Sequence, residues 1–314
     1  MNSAGANYRV YVAGHTGMVG SAICRRLTRS GYTMVLPEKR VDLCDQQASL
    51  SLIRTLKPDW IFLAAARVGG IRANDKYPAD FIYANLMIQT NVLHAAYLCG
   101  VRKALILGSS CIYPKFATQP MKEESLLSGY LEPTNQAYAV AKIAGIVMGQ
   151  SYNKQYGTHF ISVMPSNLYG PNDNFDLENS HVIPAILRKT HEAKLAGAEF
   201  VEIWGTGNPL REFLHVDDLA DACVFLMENY DSSEIVNIGV GVDISVRELA
   251  DLIKDVVGYE GEIRFNPDMP DGTPRKLLDI ERLKSLGWKP SIPLREGLIA
   301  TYKWYLENEN RLRK

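Results

Sequence analysis

The sequence is poor in cysteine, in long apolar stretches and in net charge, and each shortage excludes a class of protein. Its 314 residues include five cysteines and no C-x-x-C pair, so we expect neither a disulfide framework nor a metal site. Lysine plus arginine number 34 against 35 acidic residues, which argues against a nucleic-acid partner held through its phosphates. No apolar run approaches the ~18 residues of a membrane-spanning helix, and the amino-terminal segment lacks the pattern of a secretory signal. A cytoplasmic enzyme or binding protein is the expectation that remains.

The amino-terminal half alternates short β-rich runs with longer segments of helical periodicity. The predicted strands are Arg9–Ala13, Thr33–Leu36, Trp60–Leu63, Ala104–Leu107 and Phe160–Val163, and the predicted helices include Met18–Ser30, Ala79–Cys99 and Gln136–Tyr152. Strands that are apolar throughout and separated by helices are typical of a parallel sheet covered on both faces. The pattern predicts an α/β fold with a doubly wound parallel sheet of the Rossmann type, whose ligand lies at the carboxyl ends of the strands.

The pattern changes after Pro171, where turn-forming residues become frequent. Helical patterns at His181–Leu195, Val246–Val257 and Arg295–Asn308 predict a smaller C-terminal α/β lobe that binds the substrate. The β-like run Glu234–Ile238 is able to rejoin the first sheet. We therefore expect a nucleotide-binding domain over residues 1–170, rejoined by about 212–240, and a substrate lobe formed by 171–211 and 241–314.

A glycine-rich loop follows the first predicted strand directly. It reads Gly14-His15-Thr16-Gly17-Met18-Val19-Gly20, with the spacing G-x-x-G-x-x-G. Glycine allows a tight turn and a close approach of backbone N–H groups to a pyrophosphate at the start of the next helix. The place of the loop between a strand and a helix favours a dinucleotide site, although a purely structural turn could carry the same residues.

The loop after the second predicted strand bears on the choice of cofactor. A carboxylate here hydrogen-bonds the ribose 2′-hydroxyl of NAD, whereas cations suit the 2′-phosphate of NADP. Glu38 leaves NAD open, but Lys39 and Arg40 favour NADP, and Asp42 and Leu43 are placed to contact the adenine edge. A solvated loop of mixed charge is the alternative interpretation.

Tyr138 and Lys142 lie four residues apart on the predicted helix that begins near Gln136. Residues at this spacing share a helix face, and an ammonium beside a phenol is expected to lower the pKa of the phenol. Tyr138 could then exchange protons with a carbonyl or alcohol oxygen near neutral pH. Ser109 and Cys111 follow the fourth predicted strand, where the ligand is expected. If this segment is extended, both side chains point to one side, so both face Tyr138; a buried inert thiol is the alternative for the cysteine.

Several motifs, spread over nearly the whole chain, resemble those of the extended short-chain dehydrogenase/reductase family. They are the glycine loop, Leu63-Ala64-Ala65-Ala66, the set Ser109, Tyr138 and Lys142, Pro165-Ser166-Asn167-Leu168-Tyr169-Gly170-Pro171, and Arg211-Glu212-Phe213-Leu214-His215-Val216-Asp217-Asp218. Gly108–Pro114, Asn174–Pro184 and Trp204–Gly207 are similar to the bifunctional members that epimerise and reduce GDP-4-keto-6-deoxy-D-mannose. Thr16 stands where some bacterial members have an arginine that reaches the cofactor phosphate.

The resemblance implies roles for individual residues and a homodimeric enzyme with a GDP-sugar substrate. For the NADP(H) site it implies Gly14 to Gly20, Ala64, Ala65, Ala66, Leu107, Gly108, Ser109, Ser110, Tyr138, Lys142, Pro165, Ser166, Asn167, Leu168 and His181. Reduction is implied for Ser109, Tyr138 and Lys142, and epimerisation for Cys111 and His181. Contacts to the nucleotide-sugar are implied for Ser109, Cys111, Asn167, His181, Lys189, Trp204, Arg211 and Asp271. From the residues alone, a helix-capping His181, exposed cations and a core tryptophan are the alternatives.

Four other functions compete with this interpretation. A 4,6-dehydratase of the same family would carry Thr-Asp-Glu where this chain has Ser110-Cys111-Ile112. A C4 epimerase would hold and recycle its NAD, and a related epimerase/reductase would act on another GDP-deoxy-keto sugar. A non-catalytic NADP-binding sensor would have no need for Ser109, Tyr138 and Lys142 together.

Overall fold

The structure is a computed structural model that describes residues 8–177, 179–269 and 271–312. Its strands are β1 (Arg9–Ala13), β2 (Thr33–Met34), β3 (Trp60–Leu63), β4 (Lys103–Leu107), β5 (Phe160–Pro165), β6 (Asn167–Tyr169), β7 (Phe200–Trp204), β8 (Leu210–Arg211), β9 (Phe213–His215), β10 (Val236–Ile238), β11 (Ile244–Ser245), β12 (Glu262–Asn266) and β13 (Arg275–Lys276). Its helices are α1 (Met18–Arg29), α2 (Gln46–Leu56), α3 (Ile71–Lys76), α4 (Pro78–Leu98), α5 (Gln136–Tyr156), α6 (Val182–Ala196), α7 (Val216–Asn229), α8 (Val246–Val257), α9 (Glu281–Ser285) and α10 (Leu294–Asn308).

Six parallel strands form the main sheet in the order β10-β5-β4-β3-β1-β2. The side chains of β1 alternate between two cores, with Val10 and Val12 packed on one face of the sheet and Tyr11 and Ala13 on the other. Both faces are therefore covered, and the expected doubly wound α/β fold is confirmed. The chain crosses from β2 to β3 past β1, so the topological switch point lies between β1 and β3, where such sheets bind ligands.

A second group of short strands and helices follows the main sheet. β8 pairs with β11 and β13, and β7 pairs with β12. Helices α6, α8 and α10 pack over a separate apolar core that includes Ile183, Leu187, Ile253 and Tyr305. β10, by contrast, lies beside β5 in the main sheet. No helix in the described part of the chain combines the length and the apolar character needed to cross a bilayer.

β2 and α5 are among the elements that differ in length from the sequence prediction. β2 ends at Met34 rather than at Leu36, because Pro37 has no N–H group and cannot extend a ladder of hydrogen bonds. α5 continues to Tyr156, four residues beyond the predicted end, and stops at Gly157 in the left-handed conformation with φ of 67°. Glycine at this position is a common helix terminator.

Two glycines of the loop after β1 are required by close approach of the backbone. Gly14 has a φ of +84°, and a Cβ atom on it would lie 2.8 Å from Cα of Ala65. A Cβ on Gly20 would lie 2.1 Å from the carbonyl oxygen of Gly14. Gly17 differs, because a Cβ there would make an ordinary contact of 3.5 Å with the same oxygen. Gly14 and Gly20 therefore hold α1 against the sheet, and Gly17 leaves the start of the helix open.

We expect Gly20→Ala to lower the free energy of unfolding by about 1–3 kcal/mol, the usual cost of overpacking. The added methyl group would push α1 away from Gly14, so NADP(H) binding should weaken too. Gly17→Ala is the matched control for stability, since its methyl group has room. Denaturant unfolding measures the first effect and titration of NADPH fluorescence the second. Equal unfolding midpoints for the two variants would contradict this account.

Candidate active site

The predicted cofactor residues lie along the carboxyl edge of the main sheet. The glycine loop follows β1, Ala64 to Ala66 follow β3, Ser109 follows β4 and Ser166 follows β5. The backbone N–H of Ala64 donates to the carbonyl oxygen of Ala13, which fixes the two loops side by side. The sequence thus positions these segments around one cleft, as expected for a doubly wound sheet.

The start of α1 fits a pyrophosphate. Gly17 is its N-cap in extended backbone, the first turn contains no acidic side chain, and no side chain of residues 8–177 caps that turn. The first N–H groups of a helix have no partner within it and carry the positive end of the helix dipole. Ser166, at the same edge of the sheet after β5, supports a polar ligand here, because its hydroxyl oxygen is buried and has no hydrogen-bond partner within the described ranges.

The loop after β2 presents charge to solvent. Glu38, Lys39, Arg40 and Asp42 are all exposed, so the two cations are free to reach a 2′-phosphate. Leu43 behaves differently: its side chain is 9% exposed and packs in the core on one face of the sheet. Any contact of Leu43 with adenine would therefore have to come from its backbone.

The residues around β4 and β5 leave little room beside the backbone. A Cβ on Gly108 would lie 2.4 Å from the sulfur of Met164, so a larger residue here would require the Met164 side chain to shift. Leu107 and Ser110 are buried, and Asn167 donates from its amide to the carbonyl oxygen of Glu212 at 2.8 Å. Pro165 ends β5, and Leu168 is half-buried on β6. These segments line the cleft mainly with backbone.

Ser109, Tyr138 and Lys142 come together at the carboxyl end of β4. Tyr138 and Lys142 lie on one face of α5, with the Lys142 ammonium 5.8 Å from the centroid of the tyrosine ring. Ser109 forms a side-chain hydrogen bond with Tyr138. Lys142 is 6% exposed and donates from Nζ to the carbonyl oxygen of Leu107 at 2.7 Å. The three predicted residues therefore form one cluster next to the glycine loop.

The expected lowering of the pKa of Tyr138 by Lys142 is wrong. Burial raises the pKa of the phenol, the neighbouring thiol of Cys111 raises it further, and the hydrogen bond with Ser109 lowers it. Burial also lowers the pKa of Lys142 to about 8. Desolvation outweighs the ion–phenol attraction here, because the ammonium is turned to the carbonyl oxygen of Leu107 and the phenol is partly buried. Tyr138 is consequently a protonated phenol at neutral pH, which suits a proton donor.

Cys111 lies close to this cluster, but the backbone conformation that places it there differs from the prediction. Ser109 is extended, but residues Ser110–Ile112 form a 3-10 turn, and the N–H of Cys111 donates to the Ser109 hydroxyl at 3.2 Å. The turn, and not strand alternation, places the thiol near Tyr138. Lys276 approaches from β13, with Nζ 3.7 Å from the Cys111 sulfur. The sulfur thus has a cationic neighbour that no motif pointed to.

His181 is the N-cap residue of α6 in extended backbone. The residue is exposed. Desolvation by the protein around the ring still lowers the pKa of the imidazole, and the ammonium of Lys276 lowers it further. Both members of the predicted epimerisation pair therefore lie within the influence of one lysine.

The predicted substrate residues of the second lobe divide into two groups. Trp204 is half-buried, and Lys189 lies over its ring at 5.2 Å while donating to the Glu202 carbonyl oxygen. Arg72, at the start of α3, lies 4.8 Å from the same ring. Sequence reasoning missed Arg72, since it belongs to the other half of the chain. A planar aromatic ring flanked by two cations suits a base and its phosphates.

The second group is Arg211 with Asp271. Arg211 donates to the backbone carbonyl oxygens of Leu210 and Asp271. Burial lowers the pKa of Arg211, while the charges of Asp271 and Cys111 raise it. The carboxylate of Asp271 accepts two hydrogen bonds of 2.7 Å, from the backbone and the hydroxyl of Thr206. Asp271 therefore shapes the turn after Trp204, and Arg211 lies between that turn and the thiol.

Comparison with known proteins gives the same picture. The family model described as the NAD dependent epimerase/dehydratase family matches residues 10–239. GDP-L-fucose synthase 1 of Arabidopsis thaliana is 59% identical over 96% of this chain and 94% of its own length. GDP-L-fucose synthase of Escherichia coli is 53% identical over 97% of this chain and 98% of its own. A GDP-L-fucose synthetase from Naegleria fowleri, solved bound to NADP, superposes with a TM-score of 0.91 at 28% identity and covers 98% of this chain and 97% of that one.

These similarities run over nearly the full length of both partners, and the family model alone covers more than half of the chain. They confirm the family resemblance that the motifs indicated. The chain belongs to the NAD dependent epimerase/dehydratase family.

Proposed function

We propose that the protein converts GDP-4-keto-6-deoxy-D-mannose to GDP-L-fucose, by epimerisation at C3 and C5 and NADPH-dependent reduction at C4. The observation that carries this proposal is the convergence of two kinds of proton-transfer group on one cleft. The hydroxyl of Ser109 accepts a hydrogen bond from the N–H of Cys111 at 3.2 Å and is hydrogen-bonded to the phenol of Tyr138, so phenol, hydroxyl and thiol are grouped together. The chain is accordingly an NADP(H)-dependent epimerase and reductase.

Epimerisation needs one proton-transfer group on each face of the sugar. The C4 ketone acidifies the C–H bonds at C3 and C5, because the resulting carbanion delocalises into an enolate. Cys111 as thiolate removes the proton from one face, and His181 returns one from the other. Cysteine and histidine are residue types that serve as proton-transfer groups in enzymes.

Reduction uses the same oxygen site. NADPH, when bound, supplies the hydride to C4. Tyr138 and Ser109 hold the C4 oxygen, and the protonated phenol donates its proton as the alcohol forms. Lys142, anchored on the Leu107 carbonyl oxygen at 2.7 Å, supports this end of the cleft beneath the ring of Tyr138. One pair of donors thus stabilises the enolate oxygen in the first reaction and the alkoxide in the second.

We expect Arg211→Ala to weaken GDP binding about tenfold at low salt, which is the order of one lost charge-assisted hydrogen bond to phosphate. Arg211 is half-buried, so its charge is less screened than that of an exposed arginine. Arg264→Ala is the matched control, since Arg264 is an exposed arginine of β12 that pairs with Glu262. Isothermal titration with GDP measures both variants. An unchanged affinity in Arg211→Ala would rule out a phosphate contact.

Net oxidation of NADPH in the presence of GDP-4-keto-6-deoxy-D-mannose tests the proposed function. Stoichiometric oxidation is the expected result. A C4 epimerase would recycle its cofactor, and a non-catalytic sensor would oxidise nothing. A second measurement compares kcat/KM for GDP-4-keto-6-deoxy-D-mannose with kcat/KM for a related GDP-dideoxy-keto sugar. An epimerase/reductase specific for the related sugar would show the higher value with that substrate. No oxidation with either sugar would contradict the proposal.

We also propose that the enzyme is a cytoplasmic homodimer. Helices α4 and α5 pack on one another and still present large apolar side chains to solvent, among them Tyr83 at 62%, Val140 at 39% and Val147 at 43% exposure. Val140 and Val147 are seven residues apart and share a face of α5. A second copy of the chain would bury this face. Light scattering should therefore give a dimer mass for the native protein and a monomer mass for Val140→Glu/Val147→Glu; a native monomer would contradict the proposal.

A further inference from the structure

The pairing of two short strands places Lys276 at the active site. In the parallel pair of β13 with β8, Lys276 lies opposite Arg211. Residues opposite one another on neighbouring strands project to the same side of the sheet. Two cations, separated by 65 positions in the sequence, are thereby directed to the same side, and Lys276 reaches the Cys111 sulfur at 3.7 Å.

The backbone that follows Lys276 is held by two hydrogen bonds to side chains. The N–H of Leu277 donates to the side-chain oxygen of Gln119 at 2.9 Å, and the N–H of Leu278 donates to the carboxylate of Glu212 at 3.0 Å. Glu212 is fully buried and accepts two more N–H bonds, from Val240 and Gly241. The position of Lys276 is therefore fixed by the fold and does not depend on a flexible surface segment.

Charged and titratable groups from several elements lie near the thiol. Lys276 contacts the sulfur, and Arg211 and Tyr138 are near enough for the thiolate charge to act on the pKa of each. Three more charged residues line the same cavity, but Glu132 is paired with Lys115 at 2.8 Å and Arg275 is paired with Asp243. Among the described residues, the two cations here without a carboxylate partner of this kind are Lys276 and Arg211, and Tyr138 is neutral at physiological pH, so the surroundings favour negative charge on the sulfur.

We infer that Lys276 is a positioning residue whose ammonium holds Cys111 in the thiolate form in the resting enzyme. The inference deepens the proposed function and depends on it for its catalytic consequence. In the epimerisation step the thiolate takes a proton from the substrate carbon: the C–H bond breaks, an S–H bond forms, and the electron pair moves into the enolate. The imidazolium of His181 gives its proton to the opposite face. Lys276 transfers no proton in this step.

The charge state of Cys111 can be tested without substrate. The rate of alkylation by iodoacetamide is measured against pH and resolved by peptide mass spectrometry, which separates Cys111 from the other four cysteines. In Lys276→Met the midpoint for Cys111 should rise by about one pH unit or more, as expected for loss of an opposite charge at this distance. Alkylation near pH 7 would slow about tenfold. Lys276→Arg should keep the native profile.

Lys115→Met is the matched control. Lys115 lies in the same neighbourhood, but its ammonium pairs with Glu132 at 2.8 Å and does not contact the sulfur. The pH profile of Cys111 alkylation in Lys115→Met should equal that of the native protein. A native profile in Lys276→Met, or an equal rise in Lys115→Met, would overturn the inference.

Two further measurements keep the test decisive. If Lys276→Met fails to fold, Lys276→Gln replaces it. The second measurement is the ultraviolet absorbance of thiolate in the native protein, from which the absorbance of Cys111→Ser is subtracted at each pH. The difference must show that Cys111 titrates at a lower pH than an ordinary thiol. With substrate, the acid limb of the pH profile for deuterium incorporation at C3 and C5 should move upward in Lys276→Met by the same amount. If the native enzyme incorporates no deuterium, the proposed function fails, and the alkylation profile still decides the role of Lys276.

Discussion

Tyr138→Phe is expected to lower the rate of NADPH oxidation by about 10²–10⁴-fold, the usual contribution of a positioned proton donor. The substitution removes the phenol oxygen and its hydrogen bond with Ser109 and leaves the ring in place. The ring packs edge-on against Phe81, with centroids 6.4 Å apart, so α5 should keep its position. NADP(H) affinity should therefore stay close to native, because the glycine loop and α1 are untouched.

The rate loss is measured from absorbance under saturating substrate, and cofactor affinity from NADPH fluorescence. Tyr156→Phe is the matched control, since Tyr156 ends the same helix and stacks on Tyr97, away from the cleft. Near-native turnover in Tyr138→Phe would refute the assigned role. The raised pKa of Tyr138 adds a second expectation: the phenol stays protonated through neutral pH, so proton donation to the C4 oxygen is lost only as the pH rises into the alkaline range.

Cys111→Ser should abolish deuterium incorporation at C3 and C5, with a loss of about 10²–10⁴-fold, while hydride transfer to an already epimerised keto sugar is far less affected. A serine hydroxyl does not ionise near neutral pH, so the cation of Lys276, 3.7 Å from the native sulfur, has no anion to stabilise. Proton NMR in D₂O follows the loss of the C3 and C5 signals.

Cys44→Ser provides the control for removing a cysteine. Cys44 is half-buried after β2, and its thiol lies 3.9 Å from the carbonyl oxygen of Ala84. The rate of deuterium incorporation at C3 and C5 with Cys44→Ser should equal the rate with the native enzyme. Incorporation in Cys111→Ser at the native rate would remove Cys111 from the mechanism, whatever its position in the cleft.

Much of the fold could be predicted because its signals are local in the sequence. Apolar strands such as Trp60–Leu63 are buried on both faces and stand out from the helices around them. The glycine loop is also local, since Gly14 and Gly20 meet within six residues. Tyr138 and Lys142 share one helix, so their spacing alone placed them together. The strand β10 joins the main sheet at the run that the sequence marked as β-like.

The parts that could not be predicted depend on long-range contacts or on burial. Lys276 lies 165 positions from Cys111, on a strand of two residues that is too short to carry a pattern. Arg72 meets Trp204 across the two halves of the chain. The pKa of Tyr138 follows from how far the ring is enclosed, which spacing does not reveal. At Ser110–Ile112 a 3-10 turn replaced the expected extended chain, because Ser109 accepts a hydrogen bond from the backbone two residues on.

The most direct test of one cleft performing both reactions is proton NMR of the product made in D₂O with NADPH. We predict a GDP-sugar of L configuration that carries deuterium at C3 and C5 and protium, delivered from the cofactor, at C4. A reduced product that retains protium at C3 and C5 would show a simple reductase and would contradict the placing of Cys111 and Tyr138 around one pyranose ring.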